Sequence, residues 1–304
     1  MTAQPDREVH RPVMVAEVLD ALAPAPGEKF LDLTLGAGGH AAEIAARLGE
    51  KGVLVGMDWD AAILDMATKR LAGPGLARCR ICRGNFLDAR DALDEADVGR
   101  VDGILLDLGV SSLQLEDPER GFSFAQDGPL DMRMDRERQS RTAADIVNRA
   151  PEYQLERILR EYGQERFARR IARRIVQARR AGRITRTGQL ADLVVRARAR
   201  RKWQRIHPAT RVFQALRIAV NEELENLEGI LEIAPELLER GGRIAVIAFH
   251  SLEDRIVKED FRNRAHAGIY SLITKKPLRA SPAEVSSNPR SRSARLRAAK
   301  RSQG

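Results

Sequence analysis

The stretch FLDLTLGAGGH at residues 30–40 constrains this chain more than any other. An apolar run ends abruptly at Gly36-Ala37-Gly38-Gly39, and an alanine-rich pattern with apolar side chains at helical spacing begins at once. The pattern predicts strand, glycine turn, helix. Three glycines in four residues let the backbone pass close to a ligand because no Cβ intervenes, while the helix start offers unpaired N–H groups. A ligand would therefore sit at the carboxyl end of the strand. Taken alone, a glycine cluster also fits a tight turn that binds nothing.

The flanking segments favour a ligand. A helix is predicted over residues 13–23, before the first strand, and residues 52–57 form a second buried strand ending in Asp58. Asp58 lies 22 residues beyond Gly36, the separation at which a carboxylate meets the ribose hydroxyls of an adenosine cofactor. A third strand holds Cys79 and Cys82 and leads to Phe86, which either covers an adenine ring or fills core. The two cysteines are three apart on a strand, so they point to opposite faces and are expected to be free structural thiols. Residues 101–107 form a fourth strand ended by Asp107, and the polar turn from Gly109 to Gln114 leaves it toward the same crevice.

The alternation then breaks, because the next credible strand begins only at residue 242. A βαβ crossover needs far less chain, so something is inserted. A polar loop at 121–135 leads into helical patterns near 142–149, 151–162, 164–181 and 187–200. One long crossover helix is expected from His207-Pro208 toward Ile233, returning the chain to the sheet. The expected domains are thus 1–114 with 207–304, discontinuous, and a helical insertion at 115–206. Strand five ends in FHSLEDR, where Ser251 and Asp254 suit a helix cap, and residues 269–274 and 293–299 suit a terminal hairpin with a short connection. The fold class is α/β with an inserted all-helical domain.

Charge separates the two parts. The chain is +9 overall, yet sixteen Lys or Arg face only Glu165 and Asp192 between residues 163 and 212, a local excess of +14 that leaves the remainder at −5. Such a block suits a polyanion held through its phosphates, although solvated helix faces also gather arginines. Arg173, Arg174, Arg179, Arg180, Arg200, Arg201 and Lys202 are the candidate nucleic-acid contacts. No run of 18 apolar residues occurs and the N-terminus lacks a signal-peptide pattern, so a cytoplasmic location without a membrane partner is expected.

Gly36 to Ala41 fits the G-x-G-x-x-A of a dinucleotide oxidoreductase. A helix before strand one, a terminal strand pair, a single glycine site and a polar turn after strand four better suit a class I methyltransferase using S-adenosylmethionine. A non-catalytic RNA-binding assembly factor on the same scaffold is a further reading. The intact glycine turn, Asp58 and Asp107 weigh against it.

Longer blocks narrow the choice: HRPVM at 10–14, DLTLGAGGH at 32–40, DGILLDLGVSS at 102–112, RGFSF at 120–124, DGPLDMRMD at 127–135, HPATR at 207–211, FHSLEDR at 249–255 and NPRSRS at 288–293. In this order they closely resemble the bacterial small-subunit (16S) ribosomal RNA cytosine-N4 methyltransferases of the MraW family. The resemblance implies a Rossmann-like class I fold and methyl transfer from S-adenosylmethionine to the exocyclic amine of one cytosine in the decoding region. Methylation of another nucleobase is the alternative within enzymes. It implies cofactor contacts at Gly38, Gly39, His40, Asp58, Phe86, Asp107 and Gln114. Ala41 and Leu113 depart from the family pattern, the latter leaving the Gln114 turn without its usual proline.

In the loops after strands four and five, Ser111 and His250 are candidate catalytic groups, His250 as a proton acceptor or as an orienting hydrogen-bond partner within its turn. Phe122 and Phe124 suit base stacking or core packing. Asp127, Asp131 and Asp135 suit salt bridges with Arg133 and Arg136, and no metal is expected. Small-subunit ribosomal RNA or the small subunit is the expected partner, and a homodimer stays open.

Overall fold

The computed structural model describes residues 12–198 and 207–303. The chain forms two compact units, one holding residues up to 109 together with those from 224, the other residues 110–223.

In chain order the first unit begins with α1 (Val15–Leu22), β1 (Lys29–Asp32), α2 (Gly39–Leu48), β2 (Val53–Asp58), α3 (Ala61–Arg70), β3 (Arg78–Arg83), α4 (Ala89–Glu95) and β4 (Val101–Asp107). The second unit contributes α5 (Ser112–Glu116), α6 (Ala143–Arg149), α7 (Glu152–Glu161), α8 (Ala168–Ala181), α9 (Thr187–Ala197) and α10 (Thr210–Asn221). The chain then completes the first unit with α11 (Glu223–Leu237), β5 (Leu238–Ala248), α12 (Ser251–His266), β6 (Tyr270–Leu272), α13 (Pro282–Ser287) and β7 (Arg295–Arg301).

The strands form one sheet in the order β3-β2-β1-β4-β5-β7-β6. Neighbours from β3 to β5 are parallel, and β7 runs antiparallel between β5 and β6. Both faces are covered, which is why these strands read as continuous apolar runs. Ile104 and Leu106 of β4 pack with α4, α11 and α12, while Leu105 points the other way among residues of α1, α2 and α3. Cys79 joins one of these clusters and Cys82 the other, as expected for opposite faces. Both thiols are free, and burial pushes both up in pKa. The sheet is the class I methyltransferase arrangement expected from the sequence.

The helical unit has its own core. Ala168, Ile171, Ala172 and Ile175 of α8 are buried at helical spacing, against α6, α7, α9 and α10. Asn221 at the end of α10 fastens the polar loop: its amide donates to Met132 O at 2.8 Å and its carbonyl accepts from Met134 N–H at 2.9 Å.

Four expectations are corrected. The units divide at 109/110 and 223/224 rather than at 114/115 and 206/207, because Val212, Phe213, Ala215 and Leu216 of α10 pack into the helical core. The expected single crossover helix is two helices, broken where Glu222 takes a left-handed conformation at φ 51°, and α11 alone is the crossover. His250, not Ser251, caps α12: its backbone is extended and its Nδ1 accepts the N–H of Glu253 at 3.3 Å. The connection between β6 and β7 is not short, since residues 273–294 carry α13 and a further 3₁₀ turn.

Candidate functional site

The strand order reverses between β1 and β4, with β2 and β3 on one side and β5 on the other. In open α/β sheets ligands bind at such a switch point, beyond the carboxyl ends of the strands. The glycine turn lies there. Gly38, the N-cap of α2, is left-handed at φ 76°, and a Cβ on it would stand 3.3 Å from the Ala67 Cα. A side chain is therefore disfavoured both by conformation and by space. Asp58, ending β2, holds the turn: Oδ2 accepts the Gly36 N–H at 2.8 Å and Oδ1 the Asp60 N–H at 3.0 Å.

Charged groups converge beside this turn. Asp32 ends β1 at 1% exposure and accepts the Thr34 N–H at 3.1 Å. The Thr34 hydroxyl in turn accepts the Asp107 N–H at 2.6 Å, tying the ends of β1 and β4. His40, in the first turn of α2, is 7% exposed and places Nε2 at 3.5 Å from Asp107 Oδ2. Neither His40 ring nitrogen nor Asp107 Oδ1 has a hydrogen-bond partner among the described residues.

Burial dominates the acid–base properties of this group. It pushes the Asp32 carboxyl up to about 7, assisted by the Asp107 and Asp58 carboxylates and opposed by His40 and the Thr34 N–H. It pushes Asp58 up as well, against the backbone N–H groups that this carboxylate accepts. It pulls the His40 imidazole down, but Asp107, Asp32 and Glu284 more than reverse this and hold it above its ordinary value.

The predicted residues fall into three groups. Gly38, Gly39, His40, Asp58 and Asp107 meet at the carboxyl ends of β1, β2 and β4. Phe86 packs into the sheet core, with Trp59 edge-on at 6.4 Å between ring centroids. Ser111 and Gln114 belong to the other unit, where they cap α5 reciprocally: Ser111 Oγ accepts the Gln114 N–H at 3.2 Å and Gln114 Oε1 the Ser111 N–H at 3.0 Å. This box fixes the turn without a proline. His250 spends Nδ1 on its cap and places Nε2 3.1 Å from Glu253 Oε1, the orienting arrangement rather than that of a free base.

Sequence reading passed over Asp32 and Thr34. The one available signal was a carboxylate and a hydroxyl inside a strand end that is otherwise apolar.

On the helical unit, Arg169, Arg170, Arg173 and Arg174 are exposed along α8, opposite its buried stripe, and Arg166 is exposed just before it. With Phe167 and Gln177 they line an open groove of about 770 Å³. Arg180 is also exposed. Arg179 is not a free cation: its Nη1 donates to Val147 O at 2.9 Å and Ala150 O at 2.7 Å, closing the end of α6. Arg200, Arg201 and Lys202 lie outside the described residues. Phe122 is buried, and Phe124 packs at a tilt on His207 and edge-on against Phe213, so both serve the core of this unit. Arg133 grips Asp131 through two bonds of 2.7 and 2.9 Å and Arg136 joins it, as expected, whereas Asp127 pairs with Arg186 and Asp135 with Arg138 rather than with Arg133 or Arg136.

Residues 7–302 match the MraW methylase family. The chain is 51% identical to Ribosomal RNA small subunit methyltransferase H of Pelobacter propionicus, covering 95% of this chain and 97% of that protein. It is 52% identical to the same-named protein of Geobacter sulfurreducens, covering 96% and 98%, and 49% identical to that of Symbiobacterium thermophilum, covering 95% of each. S-adenosylmethionine carries an ammonium and a sulfonium charge against one carboxylate, a net cation, and the crevice answers with buried carboxylates, polar atoms unsatisfied among the described residues and a Cβ-free turn. The chain belongs to the MraW methylase family, and its cofactor is S-adenosylmethionine.

Proposed function

We propose that this chain methylates the exocyclic N4 amine of one cytosine in the decoding region of small-subunit ribosomal RNA. The observation that carries the reading is near-full-length identity of about half to proteins named as small-subunit ribosomal RNA methyltransferases. The choice of N4 and of cytosine rests on the resemblance of the segments after β4 and β5 to that family. The basic face of α8 supplies the complementary requirement, a surface for RNA phosphates, though phosphate contacts are indifferent to sequence.

Bound S-adenosylmethionine supplies an already electrophilic methyl group. The protein's part is then positioning. Gly38 and Gly39 allow close approach at the start of α2, and Asp58 fixes the turn and faces the ribose. His40 and Asp107 complete the cofactor contacts that this unit supplies. The cytosine N4 lone pair is delocalised into the ring, so the amine must be rotated, held in line and relieved of a proton. Asp107, with Oδ1 buried and unpartnered among the described residues, is the acceptor suited to the developing positive charge. Ser111 and His250 have their acceptor atoms committed to helix caps, so they orient their loops and take no proton.

The test is transfer of labelled methyl from S-adenosylmethionine to small ribosomal subunits from a strain lacking the gene, with the product nucleoside identified by mass spectrometry. N4-methylcytidine at one position is expected. Cofactor binding without transfer to subunits or free rRNA would overturn the substrate.

A further inference from the structure

His40 occupies an unusual place. It sits in the first turn of a helix, where the macrodipole disfavours a cation, yet carboxylates surround it. Asp107 faces it from the end of β4 at 3.5 Å, Asp32 from the end of β1 and Glu284 from α13, while Asp58 at the end of β2 faces Asp32 in turn. Glu284 is itself fixed, accepting the Met14 N–H at 2.7 Å. Both ring nitrogens are buried; Nδ1 has no hydrogen-bond partner among the described residues and Nε2 stands 3.5 Å from Asp107 Oδ2, so gain or loss of the second proton makes or breaks that ion pair.

We propose that His40 carries a proton in the free enzyme and releases it when the cationic cofactor enters, so that cofactor exchange is proton-coupled. The inference rests on the methyl-transfer reading of this crevice. The bound cofactor brings its own positive charge to the carboxylates that otherwise stabilise the imidazolium, and two cations in one buried site repel. Methyl transfer converts the sulfonium into a neutral thioether. The product therefore lacks the charge that expelled the proton, His40 takes one up again, and binding of the product is less dependent on pH than binding of the donor.

Isothermal titration of the full-length protein with S-adenosylmethionine, in buffers of different ionisation enthalpy, reads the released proton directly. Release of about one proton per site is expected below the His40 titration, with Kd improving roughly tenfold per pH unit before it levels. S-adenosylhomocysteine should show less than half that slope. His40→Gln should abolish proton release. Glu284→Gln, which keeps the acceptor for Met14, should move the onset of the plateau to lower pH, as removal of a facing carboxylate must.

Saturable binding without proton release overturns the proposal while leaving the methyltransferase reading intact. So does release that survives His40→Gln but disappears in Asp32→Asn, because the proton would then belong to Asp32. Absence of any saturable cofactor binding would overturn the functional reading, and this inference with it.

Discussion

Around the glycine turn, Asp32 and His40 are buried and Asp58 is spent on backbone N–H groups, whereas along α8 five arginines stand in water with an apolar stripe behind them. The two regions use charge in opposite ways. A carboxylate in the crevice acts over a few ångströms, through made hydrogen bonds and a low local dielectric, and salt hardly reaches it. The α8 cations act at longer range, and a Debye length of about 10 Å at 0.1 M salt sets that range. One arrangement selects a particular small molecule; the other gathers a polyanion without reading its sequence.

Salt should separate the two regions most strongly. Reversing Arg169, Arg170, Arg173 and Arg174 to Glu should lower RNA affinity on the order of a thousandfold and flatten its dependence on salt, each lost phosphate contact removing roughly 0.7–0.9 from the slope. Cofactor affinity should stay unchanged. RNA binding with an unaltered salt slope would show that α8 is not the docking face.

The converse substitution is Asp58→Ala. It strands the N–H groups of Gly36 and Asp60, and bonds of this charge-assisted kind contribute about 1.5–3 kcal/mol each. S-adenosylmethionine binding should weaken about a hundredfold, equally at low and high salt, with RNA binding spared. An unchanged cofactor Kd would remove Asp58 from the site.

How far each region was legible in the sequence follows from the same contrast. Strands buried on both faces are written as apolar runs, and the turn is written in glycine, because at Gly38 both the left-handed backbone and the nearby Ala67 disfavour a side chain. The break at Glu222 was invisible, since neither Gly nor Pro marks that left-handed residue. Asp32 was equally hidden: one acidic residue in an apolar run looks like an irregularity until the fold carries Asp58, Asp107 and His40 around it. The caps at Ser111 and His250 were legible in principle as S-x-x-Q and an unusual H-x-x-E, but their loops also suited catalysis. Composition announced the basic block as a whole and could not say which arginine was spent internally.

Asp32 offers a sharper test of buried charge, because its carboxyl is raised from 3.8 to about 7. Between those values the native state holds a proton that the unfolded chain has lost, so this group makes stability fall as pH rises from about 4 to 7. The full shift corresponds to at most about 4 kcal/mol, and relaxation of the site should reduce the effect to ~2 kcal/mol. Asp32→Asn should therefore stabilise the cofactor-free protein at pH 8 and have little effect at pH 4. Urea denaturation at the two pH values reads the difference. Parallel curves for the two proteins would mean that Asp32 is ionised in the native state at no penalty.

The smallest effect divides arginines of a single helix. Arg179 and Arg173 are six residues apart on α8, yet Arg179 closes the end of α6 through Val147 O and Ala150 O, while Arg173 is exposed and stands 3.6 Å from Glu152. Arg179→Ala leaves two helix-end carbonyls without their charged donor and should lower stability by about 1–2 kcal/mol, with a minor change in RNA affinity. Arg173→Ala removes an exposed cation whose surface ion pair contributes at most a few tenths of a kcal/mol to about 1 kcal/mol. It should leave stability within about 0.5 kcal/mol and weaken RNA binding severalfold at low salt. Denaturation midpoints and RNA titrations on the two single variants give a crossed pattern if the helix divides its arginines between holding the fold and meeting the ligand. Equal effects on both readouts would mean that the α8 face acts as one undivided field of charge, and that the carbonyl contacts of Arg179 add nothing to it.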